Sequence, residues 1–320
     1  MDTVKKRLFD IGIVPEIAQN DINNAAPLAK ALCAGGLPTA EITCRTDADQ
    51  AFLIEMKKAC PDMLIGAGGI LTTQQASAAV TAGAQFISTP GIDPDIVRGC
   101  QSLNVPVFPS ISTAEDVNDA ISMGLDTLKF LSDGNSDGME LLKTLSADFP
   151  NINLLPAAGV TESNLVNYLN IPTVSACCGS WMIDEKAVEA KNFAMIEELT
   201  RNTINNMLGL SLKHIGINEE NGNGAALASL FAGVFRGKVR KTFKGWFGSE
   251  YAEIMTGTYK TGIHGHIGIG VNDPDRARRY YEAIGYRFKE STAGYFENGK
   301  LEIIYFAEEI GGFAIHIVKK

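Results

Sequence analysis

The chain reads as an α/β protein, a (β/α)8 barrel of the TIM type followed by a smaller α+β domain, on three observations. Eight short apolar runs rich in β-branched residues lie within the first 206 residues, and each is followed by an amphipathic stretch of helix length. Apolar strands joined through helices signal a parallel sheet covered on its faces. Eight such units in about 200 residues suit a closed barrel better than an open sheet. Beyond residue 206 the texture changes: the chain becomes more aromatic, and His214-Ile215-Gly216-Ile217-Asn218 recurs as His266-Ile267-Gly268-Ile269-Gly270. The expected domains are residues 1–206 and 207–320, with a linker between Met207 and Lys213.

In order, the strand runs are 11–18, 39–44, 64–69, 85–90, 105–110, 127–132, 152–159 and 173–180. Helices are expected near 22–34, 47–60, 73–83, 94–103, 113–123, 136–148, 162–169 and 182–206. Thr46-Asp47, Thr72-Thr73, Thr113 and Thr161-Glu162-Ser163 supply N-cap signals, because their side-chain oxygens can accept from the free amides of a first helical turn. In the second part each copy of the repeat leads into a helix, about 224–236 and 274–284, and then strands. The first copy reads as one strand short. Asn272-Asp273-Pro274-Asp275 starts the later helix, and Asn298-Gly299 between two strand-like triplets predicts a hairpin.

Composition narrows the function classes. Over 320 residues, 45% hydrophobic and 20% charged content is ordinary for a soluble globular protein. A net charge of -9 argues against nucleic acid or an anionic membrane as partner. No apolar run reaches bilayer-spanning length. Residues 1–7 lead straight into a strand-like segment without a signal-peptide core. Six cysteines at 33, 44, 60, 100, 177 and 178 lack metal-finger spacing, so free thiols and a reducing cytoplasm are expected.

Active sites of such barrels lie at the C-terminal ends of the strands, so polar residues there are informative. The run Asp126-Thr127-Leu128-Lys129-Phe130-Leu131-Ser132 places one lysine among strand formers. Burial disfavours an ammonium, and a neutral amine can attack a carbonyl to form an imine. From this run alone, an edge strand whose lysine reaches water is the commoner outcome. On the second strand, alternation puts Glu41, Thr43 and Arg45 on one face. They read either as a structural ion pair in the lumen or, with Lys129, as an amine, an acid/base and a carboxylate binder suited to a 2-keto acid. The stretches 154–161 and 177–181 end in small residues before helices, including Gly159 and Ser180. Open backbone amides there can hold an anion, although tight turns alone also call for glycine.

Motifs from about residue 8 to 206 resemble the 2-keto-3-deoxy-6-phosphogluconate / 4-hydroxy-2-oxoglutarate aldolases, a family of class I aldolase barrels. They are Ile13-Val14-Pro15, Ala34-Gly35-Gly36, Ala40-Glu41-Ile42-Thr43-Cys44-Arg45-Thr46, Ile65-Gly66-Ala67-Gly68, Gly83-Ala84-Gln85-Phe86, Pro90-Gly91, Pro109-Ser110-Ile111-Ser112-Thr113, Leu128-Lys129-Phe130 and Gly179-Ser180-Trp181. The resemblance implies a Schiff base at Lys129, proton transfer by Glu41, and a keto-acid carboxylate held by Arg45. It further implies substrate contacts at Gly69, Pro90, Gly159 and Ser180. Pyruvate plus glyceraldehyde-3-phosphate or glyoxylate would be the products, no cofactor would be needed, and the barrel would assemble as a homotrimer. Three departures stand out: Gly69 where the family usually has threonine, Leu131-Ser132-Asp133-Gly134 where it usually has Phe-Pro-Ala-Glu, and Ala157-Ala158-Gly159 where it usually has Thr-Gly-Gly.

Residues 207–320 resemble the vicinal-oxygen-chelate (glyoxalase-like) fold of paired βαβββ modules. That resemblance implies metal ligands at His214, Glu253, His266 and His316, with His316 in place of the usual glutamate, and a divalent metal as cofactor. These histidines also read as satisfied core or interface residues, in which case the domain is expected to serve assembly or to cover the barrel mouth. His264 receives no role. Two rivals to the aldolase remain at this point: a metal-dependent glyoxalase-type enzyme on a barrel scaffold, and a non-catalytic keto-acid-binding protein.

Overall fold

The computed structural model describes residues 3–19, 21–131, 138–259 and 261–320. It divides into two compact units, one running to Met207 and the other spanning Leu208–Lys320.

The first unit opens with α1 (Thr3–Ile11), where the sequence reading expects a strand-like approach. Val4, Leu8 and Ile11 recur at helical spacing, and Leu8 and Ile11 are fully buried. The apolar step from Ile11 to Val14 disguises the boundary, which lies at Gly12 (φ +80°), whose amide donates to the Leu8 carbonyl. Alternating units follow: β1 (Ile13–Ile17), α2 (Ile22–Ala34), β2 (Thr39–Thr43), α3 (Asp47–Ala59), β3 (Leu64–Gly68), α4 (Thr73–Thr81), β4 (Ile87–Thr89) and α5 (Pro94–Ser102). Next come β5 (Val107–Ile111), α6 (Ala114–Ser122), β6 (Thr127–Phe130), α7 (Gly138–Asp148), β7 (Asn153–Pro156), α8 (Leu165–Leu169) and β8 (Cys177–Gly179). The unit ends in α9 (Glu185–Glu189) and α10 (Phe193–Leu208).

All the strand pairings are parallel, in the order β7-β6-β5-β4-β3-β2-β1-β8. A parallel bridge between Leu154 and Val174 joins the two ends of that order and closes the barrel. Thr46 and Thr113 form full capping boxes with Asp49 and Asp116, and Thr72 caps α4. Thr161 does not start a helix. Its amide donates to Asn164 Oδ1, so residues 161–164 make a turn and the helix begins at Leu165. The expected helix 182–206 is two helices, broken where Lys191 takes φ +56°. Only Gly209 and Leu210 separate α10 from the next strand, in place of the longer linker expected.

Inside the barrel, Val14, Leu64, Phe86, Phe108, Leu155, Ala176 and Cys178 fill the lumen, and Leu8 of α1 joins them from the N-terminal end. The two glycines of Ile65-Gly66-Ala67-Gly68 are steric necessities here. A Cβ at Gly66 would lie 2.1 Å from the Phe86 ring, and one at Gly68 would lie 2.2 Å from Glu41 Oε1. The backbone of β3 thus leaves room for one aromatic plug and one carboxylate.

The second unit contains β9 (Ser211–Asn218), α11 (Gly224–Val234), β10 (Val239–Lys241), β11 (Gly245–Gly248), β12 (Ala252–Met255), β13 (Gly265–Val271), α12 (Pro274–Ala283), β14 (Gly294–Tyr295), β15 (Leu301–Tyr305) and β16 (Phe313–Lys319). This is βαβββ twice. The first module is complete, against expectation, because β10 is only three exposed residues that carry no apolar alternation. Strand order is β10-β11-β12-β9-β13-β16-β15-β14, so the two modules meet at an antiparallel β9–β13 pair. The expected Asn298-Gly299 hairpin joins β14 to β15, with Gly299 at φ +78°.

Candidate functional site

Alternation along the barrel strands sends Glu16 of β1, Glu41 of β2, Ser88 of β4, Ser110 of β5 and Lys129 of β6 to the layer above the apolar lumen plug. Lys129 and Glu41 are 6% and 7% exposed, so neither lysine nor acid reaches bulk water. Lys129 Nζ donates to Glu41 Oε1 at 2.7 Å and pairs with Glu16 Oε1 at 2.5 Å. Ser88 Oγ donates to the same Glu41 oxygen at 2.8 Å. Above the cluster opens a cavity of about 320 Å³, walled by Glu16, Glu41, Thr43, Ser180, Ile183 and Glu185 among others. That volume suits a small metabolite.

The resting charge of Lys129 differs from expectation. Burial disfavours its ammonium, but the Glu41 and Glu16 carboxylates more than offset that, and its pKa is raised above the ordinary lysine value. The buried amine therefore rests as a cation between two carboxylates. Glu16 is shifted as well: burial raises its carboxyl, Lys129 draws it back, Glu41 pushes it up again, and the net direction is upward. Cys178, fully buried in the same lumen, is a neutral thiol whose pKa burial holds far above the usual range.

Sequence reasoning passed over Glu16 and Ser88. The signal for Glu16 was present, since it is a lone carboxylate in an otherwise apolar strand, on the face that Val14 shares. Ser88 had none, because a buried serine in a strand looks like any small polar filler.

The other expected residues are spread around the rim. Arg45 is exposed just past β2, and its guanidinium lies against Gly69, where an added Cβ would sit 3.3 Å from Nε. Gly69 itself has φ +69°, a conformation that threonine adopts only under strain. Ser180 follows β8 in the cavity wall, and Pro90 follows β4. Gly159 follows β7 at φ +76°, with its carbonyl accepting from Asn164 Nδ2 at 2.8 Å. The five-residue helix α8 starts six residues further on, at Leu165. Of the altered run after the lysine, Leu131 accepts no part in the cluster among the described contacts, and Ser132, Asp133 and Gly134 lie outside the described residues.

The second unit gathers its own constellation. His214 of β9, Glu253 of β12, His266 of β13 and His316 of β16 converge on one face of the sheet. His214 Nε2 lies 3.1 Å from His266 Nε2 and 3.2 Å from His316 Nε2, while Glu253 Oε2 lies 3.1 Å and 3.5 Å from the His266 and His214 nitrogens. Donors bound at about 2.1 Å to one ion would be roughly 3.0–3.4 Å apart at octahedral or tetrahedral angles, so this spacing fits a divalent metal. Burial, then the neighbouring imidazoles, lower His214 to about 4 and His316 to about 2, leaving both rings neutral near pH 7, the state in which an imidazole can bind a metal. Thr261 Oγ1 at 3.2 Å from Nδ1 orients His266. The repeated His-Ile-Gly-Ile motif explains itself in this geometry. A Cβ at Gly216 would strike the His266 ring at 2.0 Å, and one at Gly268 would strike the His214 ring at 2.6 Å. Each copy's glycine accommodates the other copy's histidine.

Comparison with known proteins bears on the first unit. The family model for KDPG and KHG aldolase matches residues 4–199. A 2-dehydro-3-deoxy-phosphogluconate aldolase of Haemophilus influenzae is 35% identical over 199 residues, which cover 62% of this chain and 94% of the relative. The KHG/KDPG aldolase of Escherichia coli K12 is 30% identical over 192 residues, covering 60% of this chain and 90% of the relative. Among solved structures, the KDPG aldolase of Legionella pneumophila, captured with pyruvate as a covalent carbinolamine intermediate, superposes with a TM-score of 0.60 at 31% identity, over 63% of this chain and 99% of that one. With its eight-stranded parallel barrel and a family match over most of its length, the chain belongs to the KDPG and KHG aldolase family.

Proposed function

We propose that the protein is a class I aldolase that cleaves a 2-keto-4-hydroxy acid, such as 2-keto-3-deoxy-6-phosphogluconate or 4-hydroxy-2-oxoglutarate, to pyruvate and an aldehyde. The observation that carries this reading is the buried Lys129–Glu41 contact of 2.7 Å beneath an open cavity. Lys129 condenses with the C2 ketone, and the protonated imine then accepts the electron pair of the breaking C3–C4 bond. Glu41 takes the C4 hydroxyl proton as the aldehyde departs and returns it to C3 of the enamine. Water then releases pyruvate. Arg45 holds the keto-acid carboxylate by charge-assisted contacts. Gly69 and Pro90 line the path, and Gly159 and Ser180 receive the distal anion. No cofactor enters this chemistry. A cytoplasmic homotrimer is the setting the family resemblance supports.

The test is borohydride reduction in the presence of pyruvate, followed by peptide mass mapping. A reduced adduct at Lys129, formed in chelator-treated protein and lost in Lys129→Ala, is the expected result. Absence of any adduct would favour a non-catalytic keto-acid-binding protein.

The donor spacing in the second unit favours a further assignment. We propose that residues 207–320 form a glyoxalase-like domain whose His214, Glu253, His266 and His316 hold a divalent metal. Such an ion, when bound, polarises substrate oxygens as a Lewis acid. The four side chains supply three imidazoles and a single carboxylate, and Thr261 fixes one imidazole in place. Activity on a glyoxalase-type substrate that chelators abolish, with the borohydride adduct missing, would make the metal-dependent enzyme the principal function instead.

A further inference from the structure

We propose that Glu16 is a second catalytic carboxylate, which takes the proton from the Lys129 ammonium and returns it to the hydroxyl that leaves as the imine forms. The inference rests on the Schiff-base reading above and divides its proton transfers between two acids. Glu16 Oε1 is 2.5 Å from Lys129 Nζ, closer than Glu41 Oε1 at 2.7 Å. The two carboxylates come from paired positions on adjacent strands, Glu16 opposite Glu41, so they flank the same nitrogen. Their surroundings differ. Both line the cavity, but Glu41 is the more buried and shares its oxygen with Ser88, whereas the Glu16 side chain is 31% exposed. Glu16 is therefore the more open of the two acids and can face both the amine and an incoming ketone, while the Glu41 oxygen that meets the amine is also held by Ser88. Its upward pKa shift agrees with a carboxyl that can carry a proton for part of the cycle.

The protons balance. The Lys129 ammonium gives one proton to the Glu16 carboxylate, leaving a free amine and a carboxylic acid. The amine lone pair forms the N–C2 bond as the C2–O π pair moves to oxygen. One proton passes from the new ammonium nitrogen to that oxygen, giving the carbinolamine. Glu16 then protonates the hydroxyl, the C2–O bond breaks, and water leaves with both protons that the amine has shed. The nitrogen lone pair completes the protonated imine, and Glu16 is a carboxylate again. Glu41 remains available for the aldol hydroxyl and the enamine carbon.

The test compares wild type, Glu16→Gln and Glu16→Asp by the rate of borohydride-trappable adduct formation with pyruvate, from pH 5 to 10. The groups facing Lys129 that set this profile are Glu16 of β1, Glu41 of β2 and the Cys178 thiol of β8, with Glu185 further out in the cavity wall. Wild type should trap at a nearly level rate above the Glu16 titration. Glu16→Gln should trap roughly 100-fold more slowly at pH 7, with a rate that climbs about tenfold per pH unit as solvent alone deprotonates the amine. Glu16→Asp should recover part of the rate and the level profile. Thermal unfolding should show Glu16→Gln folded at the assay temperature, with Glu41 still pairing the ammonium, which separates a catalytic defect from misfolding. Trapping by Glu16→Gln at the wild-type rate and profile would overturn the inference while leaving the Schiff base intact. Faster trapping would overturn it too, since the carboxylate would then merely restrain the amine. A wild type that forms no adduct at any pH would remove the Schiff-base reading itself, and this inference with it.

Discussion

Replacing Lys129 by methionine tests the charge state of the site without any substrate. The variant keeps most of the side-chain volume and deletes the one cation that two carboxylates share. Both carboxylate oxygens lie within 2.7 Å of the same nitrogen, so they are roughly 5 Å apart or less. At an effective dielectric near 20, two such charges repel by about 3 kcal/mol. Breaking a buried ion pair from one side costs a comparable 3–5 kcal/mol. For a barrel of about 200 residues, a loss of about 3 kcal/mol lowers the melting temperature by roughly 6–12 °C. The sign with pH follows from linkage. Without the ammonium, a carboxyl here has a folded-state pKa above its unfolded value of about 4.3. Its contribution to stability is then fully present below that value and lost as the pH rises through the folded pKa. The deficit should be largest at pH 7–8 and close to nil near pH 4. Calorimetric unfolding across that range measures it, and the double variant Lys129→Met/Glu16→Gln should recover most of the loss. A single variant as stable as wild type at pH 8, or a double variant with no recovery, would refute a shared buried ammonium.

Other expectations concern separate parts of the site. Glu41→Gln should lower aldol turnover by about 10²–10⁴-fold while adduct formation with pyruvate persists, and turnover at the unmodified rate would remove Glu41 from the mechanism. Gly69→Thr should destabilise the protein by about 1–2 kcal/mol, because a β-branched residue at φ +69° is strained and its Cβ crowds Arg45 Nε. The same change should raise the KM for pyruvate as Arg45 is displaced, and an unaltered KM together with unaltered stability would contradict that packing. Metal analysis should find about one divalent ion per chain, lost in His266→Ala, with the aldol reaction indifferent to chelator. A metal-free protein after incubation with zinc or manganese would leave the four donors as a hydrogen-bonded core.

The barrel was legible because burial on both faces of a parallel strand leaves a continuous apolar run, and each run has its counterpart strand. What escaped was short or disguised. Helix α1 shares its apolar residues with the strand that follows, so no composition break marks Gly12. Three exposed residues of β10 carry no period-2 signal. Thr161 presents a capping side chain, but its amide is engaged by Asn164 and the chain turns instead. In the site, Lys129 and Glu41 were found because a charge in an apolar strand is costly unless paired. Glu16 met the same criterion, but it lies near the end of the chain's first strand, and its partner is 113 positions away along the sequence. Register, invisible in one sequence, brings them together.

The same register explains why the amine is not neutral at rest. Desolvation alone would push a buried lysine toward the free base, which was the sequence-level expectation. Two carboxylates on neighbouring strands reverse that sign, because each lies within hydrogen-bond distance of the ammonium. A charged lysine is no obstacle to condensation when a proton acceptor touches it, since the transfer and the attack then occur within one preorganised cluster. Burial here serves less to strip the proton than to hold donor and acceptor at a distance where its movement costs little. It follows that removing the nearer carboxylate and deleting the amine should fail in different ways, the first by rate and the second by stability at neutral pH.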